Sequence, residues 1–157
     1  MVADNRLVSD FFFYFAFGSN LLDERIHVQI KGAQYEANGL LDGYELAFFD
    51  YGNRWKGAVA SIEEKEGSEV HGCVWRVSVK LNSTDEAVLC RTYQYSNPNR
   101  QRSPPSPHYK HVIVSGAIEH ELPASYVEKL KAIPDNGYSG KVVLDLKVLK
   151  ELNAGEQ

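Results

Sequence analysis

The run from Phe11 to Phe17 is apolar throughout and stops at Gly18-Ser19-Asn20, where a polar, helix-like pattern begins. A short aromatic run closed by glycine reads as a buried strand. Ser19 or Asn20 is placed to cap a helix starting near Leu21, with Asp23 and Glu24 in its first turn and Gly32 at its end. Residues 39–52 and 56–64 are strand-like runs separated by glycine or polar turns, and Glu63-Glu64-Lys65-Glu66 reads as a solvated turn. From Val70 to Leu81 the alternation hardly breaks, placing His71, Cys73, Trp75, Val77, Val79 and Leu81 on one face. That is long against a typical strand of ~5–6 residues. Residues 82–87 then suggest a hairpin turn and 88–96 its return strand.

Residues 97–109 form a proline-rich loop. In 122–134 Pro123 suits a first helical turn, Tyr126, Leu130 and Ile133 share a face, and Pro134 stops the helix. Residues 140–153 fit strand or helix, and we read them as a C-terminal helix. The sum is an α+β fold, a small mixed β-barrel with flanking helices, rather than a doubly wound sheet. One domain over 11–150 is expected, with 1–10 and 151–157 as flexible termini.

Composition narrows the class. With 157 residues and 43% hydrophobic content, the chain can bury one ordinary core. A net charge of −4 leaves no cationic excess for nucleic acid. Two isolated cysteines, Cys73 and Cys90, make neither a disulfide framework nor a zinc site, which suits a reducing cytoplasm. No segment reaches the ~18 apolar residues of a membrane span. The Phe11–Phe17 run has Asp10 where a signal peptide needs a basic flank.

The strand–Gly–Ser–Asn junction is the strongest chemical signal. Glycine lets the backbone approach a ligand, and unpaired N–H groups beyond it can hold a carboxylate or phosphate. From composition alone, a plain capped turn explains the junction more readily. Ser19 as a nucleophile would lack the G-x-S-x-G elbow, and nothing singles out His71, His108 or His111 as its base. His108 and His111 lack a nearby carboxylate or thiol and read as solvated loop residues, so no metal site is expected. The PxxP unit within 103–107 lacks the basic residue that would favour SH3 docking, Gln101 standing there, and reads as a rigid loop.

Tyr14-Phe15-Ala16-Phe17-Gly18-Ser19-Asn20-Leu21-Leu22 resembles the Y-F-A-Y-G-S-N-L motif of the γ-glutamylcyclotransferase family. The likeness continues through "RWKGAVASI" (54–62), "EVHGCVWRV" (69–77), "CRTYQYSN", "PPSPHYK" and "LPASYVEKLKAI". It implies that Tyr14, Phe15, Ala16, Phe17, Gly18 and Ser19 hold a γ-glutamyl group and that Tyr109 meets it from the proline-rich loop. Phe17 stands where the family usually has tyrosine, so one phenol is absent. The implied reaction needs no cofactor and releases 5-oxoproline from γ-glutamyl amino acids or glutathione. The implied partner is a small molecule, and a homodimer is allowed.

The chain departs from this pattern at the family's L-D-x-x-E-G segment, whose glutamate shuttles the proton. Here "VWRV" runs directly into "SVKLNSTDEAVLCRTY". We read an internal deletion, of a splice-form kind, that fuses two strands. No residue matches the catalytic glutamate. Glu86 is the available stand-in, although "STDEAVLCRTY" aligns better with the hairpin before the later strand. The alternative is a non-catalytic γ-glutamyl-binding or regulatory protein.

Overall fold

A computed structural model describes residues 11–78 and 90–154. Glu86, the 82–87 turn and the ends of the two strands expected to flank it lie outside the described residues. The elements are β1 (Phe11–Ala16), α1 (Asp23–Gln29), β2 (Ala33–Gly52), β3 (Gly57–Ser78), β4 (Cys90–Arg91), α2 (Pro107–Glu119), α3 (Ala124–Ala132) and α4 (Lys147–Ala154). A single 3-10 turn, Ser19–Leu21, separates β1 from α1.

The fold is mixed α+β, as expected, but the sheet is open and the barrel description is too strong. Its strand order is β2-β3-β1-β4. β3 pairs antiparallel with both β2 and β1, whereas β4 pairs parallel with β1 at Phe13↔Cys90 and Tyr14↔Arg91. The expected hairpin between the long alternating strand and 88–96 is therefore corrected, because β1 lies between β3 and β4. A central position for β1 explains its aromatic run: both edges are paired and its inner end is buried.

The run at 56–64 and the described part of the Val70–Leu81 run are one strand. Between Asp42↔Glu69 and Tyr44↔Glu64 the register slips, so residues 65–68 of β3 stand opposite Gly43 alone. Gly43 and Gly67 both have φ of 75°, which bends the ribbon at a point where most residues would be strained. That bend also interrupts the alternation. Glu63–Glu66 consequently lie in β3 rather than in a solvated turn, and Glu63 pairs with Arg100 and Arg102.

Neither Ser19 nor Asn20 caps α1. Leu22 holds the cap position without a side-chain bond, and the Asp23 amide donates to Glu119 Oε2 at the far end of α2 (2.9 Å). The helix ends at Gln29, ahead of Gly32. The proline-rich segment ends at Ser106, whose side chain accepts the Tyr109 N–H (3.1 Å) and opens α2. His108, Tyr109 and His111 are thus helical, and His108 is buried. α3 follows its expectation, with Tyr126 and Leu130 buried. Only the second half of 140–153 is helical, and α4 continues through Ala154.

Trp75 lies at the centre of the core, with Ile26, Val112, Ile113, Leu130, Leu146 and Leu149. Among the described residues no helix is long and apolar enough to cross a membrane.

Candidate functional site

A cavity of about 350 Å³ opens where β1 turns into α1. One side is the corner itself: Tyr14, Ser19, Asn20, Arg25 and Gln29. Val59 and Ala60 of β3 form the floor, and Tyr93, Gln94, Tyr95 and Tyr109 close the other side. Gly18 is required by this closure, since any Cβ there would collide with the Tyr93 hydroxyl and lie 3.4 Å from that of Tyr109.

Three phenols converge here. The Tyr14 hydroxyl accepts from Asn20 Nδ2 (3.2 Å), and the Tyr109 hydroxyl accepts the Ala60 N–H (3.4 Å) while bonding to Ser19 and Tyr93. Trp55 stacks on Tyr109 at 4.6 Å and fixes its ring. Phe17 packs on Tyr93 at 4.4 Å in the same way. Tyr93 as a whole is 36% exposed, while its hydroxyl lies against Gly18.

Burial raises all three phenol pKa values, that of Tyr93 furthest. At neutral pH they are proton donors and cannot serve as bases. The Arg25 guanidinium is pulled down by burial and then by Arg54, but an arginine remains a cation. Among the described residues the cavity wall contains no carboxylate and no imidazole. It is built to meet negative charge and carbonyl oxygen.

Residues 56–130 match the AIG2-like family. A human γ-glutamylcyclotransferase is 38% identical over 161 residues, covering 83% of each chain, and the mouse protein is 38% identical over 158 residues with the same coverage. The chain belongs to the γ-glutamylcyclotransferase family. A solved γ-glutamyl cyclotransferase structure superposes with a TM-score of 0.79 at 32% identity, covering 92% of this chain and 99% of the other.

Within this family member, Tyr14, Ser19 and Tyr109 lie on the cavity wall, and Gly18 makes room for it. The side chains of Phe15, Ala16 and Phe17 do not. Phe15 lies over Gly39 and Gly72 in the sheet, Ala16 is fully buried, and Phe17 supports Tyr93 from behind. Tyr109 arrives from the first turn of α2 rather than from a loop. None of His71, His108 and His111 lines the cavity, so Ser19 has no imidazole partner there. Among the described residues no group of three potential metal ligands occurs.

The sequence reading missed Arg25, Tyr93 and Tyr95. For Arg25 a signal existed: it falls one helical turn after Leu21 and next to Ile26, on the buried face, where a charge is out of place. Tyr93 and Tyr95 had no local signal, since their alternation is that of any strand.

Proposed function

We propose that this chain binds a γ-glutamyl amide in the Tyr14–Tyr93–Tyr109 cavity and that the cavity serves release of 5-oxoproline. The observation that carries this reading is one cavity lined by three protonated phenols and a buried cation, two of those phenols closing over Gly18. In the reaction, the substrate's α-amine attacks its side-chain carbonyl carbon. The ring C–N bond forms as the bond to the departing amine breaks, and the two protons lost by the α-ammonium end on the departing nitrogen, which leaves as an ammonium. Ring closure is intramolecular, so holding the chain folded provides much of the acceleration. Phenol hydroxyls donating to the carbonyl oxygen would stabilise its developing charge. The substrates so implied are γ-glutamyl amino acids or glutathione, in the cytoplasm and without a cofactor.

The second reading, binding without turnover, is favoured by the absence of a carboxylate from the described wall. The alignment with the human relative adds support. It spans 161 positions yet covers only 83% of this chain, so the relative carries residues within the span that this chain lacks. A missing general base commonly lowers a rate ~10²–10⁴-fold.

Calorimetry with γ-glutamyl-alanine and glutathione, together with mass-spectrometric detection of 5-oxoproline, separates the two readings. Turnover that Glu86→Gln abolishes makes Glu86 the proton shuttle. Binding with background turnover selects the second reading. Equal binding by the wild type and a folded Gly18→Val variant would remove the cavity from consideration.

A further inference from the structure

The cavity holds a positive charge that no described residue neutralises. Arg25 is 4% exposed, and its Nε has no hydrogen-bond partner. Its electrostatic neighbours are Arg54 and the phenols of Tyr14, Tyr93 and Tyr109, with no carboxylate among them. The Trp55 ring lies 5.8 Å away, near the outer limit of a useful cation–π contact. Burying an unpaired guanidinium is unfavourable, and core arginines are normally paired. This one instead lies on the wall of an open cavity that Ser19 and Tyr14 also line. A planar fork of donors facing such a space is suited to a carboxylate held by two parallel hydrogen bonds.

We propose that Arg25 is the specificity residue that recognises the α-carboxylate of the γ-glutamyl group. The inference rests on the proposed function and deepens it. A γ-glutamyl amide carries a single anionic group on its glutamyl side, at the end remote from the reacting amide. Arg25 shares its wall with Tyr14 and Ser19, the residues assigned to that glutamyl side. Its charge anchors the far end of the chain and leaves the reacting carbonyl to the Tyr93 and Tyr109 phenols. The lone buried charge is tolerated because the ligand completes the pair.

Two probes that cannot cyclise isolate this contact. Glutaryl ethylamide keeps the remote carboxylate and lacks one on the departing side, whereas butanoyl-alanine has the reverse. In calorimetric titrations, Arg25→Met should weaken glutaryl ethylamide about 10–100-fold, the loss of a charged hydrogen-bonded pair. It should leave butanoyl-alanine unchanged, and Arg25→Lys should recover part of the lost affinity. Without ligand, Arg25→Met should melt at or above the wild-type temperature, because an unpaired buried charge has been removed.

Equal affinity of glutaryl ethylamide for wild type and Arg25→Met would overturn the assignment, as would a loss confined to butanoyl-alanine. A lowered melting temperature that Arg25→Lys restores, with affinities unmoved, would make Arg25 a structural support for Trp55. Failure of the wild type to bind either probe or γ-glutamyl-alanine would instead bring down the proposed function, and this inference with it.

Discussion

On one side of the cavity the chain turns from β1 into α1 through residues that are almost all buried: Ala16, Phe17, Leu21 and Ile26 are wholly inaccessible. Its backbone–backbone bonds are short-range, from Leu21 N to Gly18 O (3.0 Å) and from Ile26 N to Leu22 O (3.0 Å). On the other side, residues 92–105 cross the far half of the β2–β3 ribbon, and most are exposed. That arm is held by polar contacts. The Asp50 carboxylate accepts from the Tyr95 hydroxyl (2.7 Å), Asn97 Nδ2 (3.1 Å) and the Gln101 amide (2.9 Å). Arg100 and Arg102 grip Glu63, and Arg102 also reaches Glu45. Apolar burial fixes the corner as part of global folding, whereas solvent competes for each contact of the arm. The cavity can therefore loosen from the arm side while the corner stays folded.

The largest break should come where the corner meets α2. A side chain at Gly116 would strike the backbone of Leu21 and Leu22, which cannot step aside as a flexible side chain could. Gly116→Val should lie at or above the upper end of the ~1–3 kcal/mol typical of over-packing. For a chain of this size that is roughly 6–12 °C in melting temperature. Binding of γ-glutamyl-alanine should vanish with it, since Tyr109 is carried by the same helix. An unchanged melt would show that α2 does not anchor the corner.

A smaller effect is expected at Ser106, the junction of arm and helix. Its fully buried hydroxyl accepts the Tyr109 N–H, and Ser106→Ala should remove about 1 kcal/mol, the usual value of such a cap. Calorimetry should also detect weaker binding, because the first turn of α2 positions the Tyr109 phenol. Normal affinity in the destabilised variant would separate the cap from the site.

The smallest effect concerns acid. Arg100 foremost, with Arg102, holds the Glu63 carboxyl below its usual range, and Arg102 and then Lys65 do the same for Glu45. Depressed values of this kind add stability above the unfolded carboxylate pKa of ~4.3, and the gain is lost as pH falls through the lowered folded values. Amide exchange should accordingly speed up below about pH 4 in residues 92–103 before it does in the corner. Arg102→Ala should move that loosening to higher pH. Simultaneous loss of protection in both regions would erase the distinction between them.

Legibility in the sequence follows the same division. β1, the break at Gly18 and α3 are local patterns: an aromatic run, a glycine at its end, and a helix bracketed by two prolines. α2 escaped because Val112, Ile113 and Val114 favour strands and Gly116 weakens a helix, while burial on several faces blurs the 3.6-residue period. The continuous β3 reads in the sequence as two strands because its bend places charged residues and Gly67 in the middle. Ser19 is legible in the strand–glycine junction, whereas Tyr14 and Tyr109 follow from a resemblance to a family motif that no spacing rule replaces.

The sequence alone determined an α+β domain whose greasiest strand ends on a glycine, because alternation, turn residues and the lack of a second hydrophobic segment of that length act within a few positions. Only the tertiary structure decided that Tyr93 and Tyr109 close over Gly18, and that Arg25 faces them without a described counter-charge. Those meetings depend on the bend in the β2–β3 ribbon and on the crossing of the arm. Distant segments are brought together by the burial of shared surface, a property of the folded whole that no short window of sequence contains.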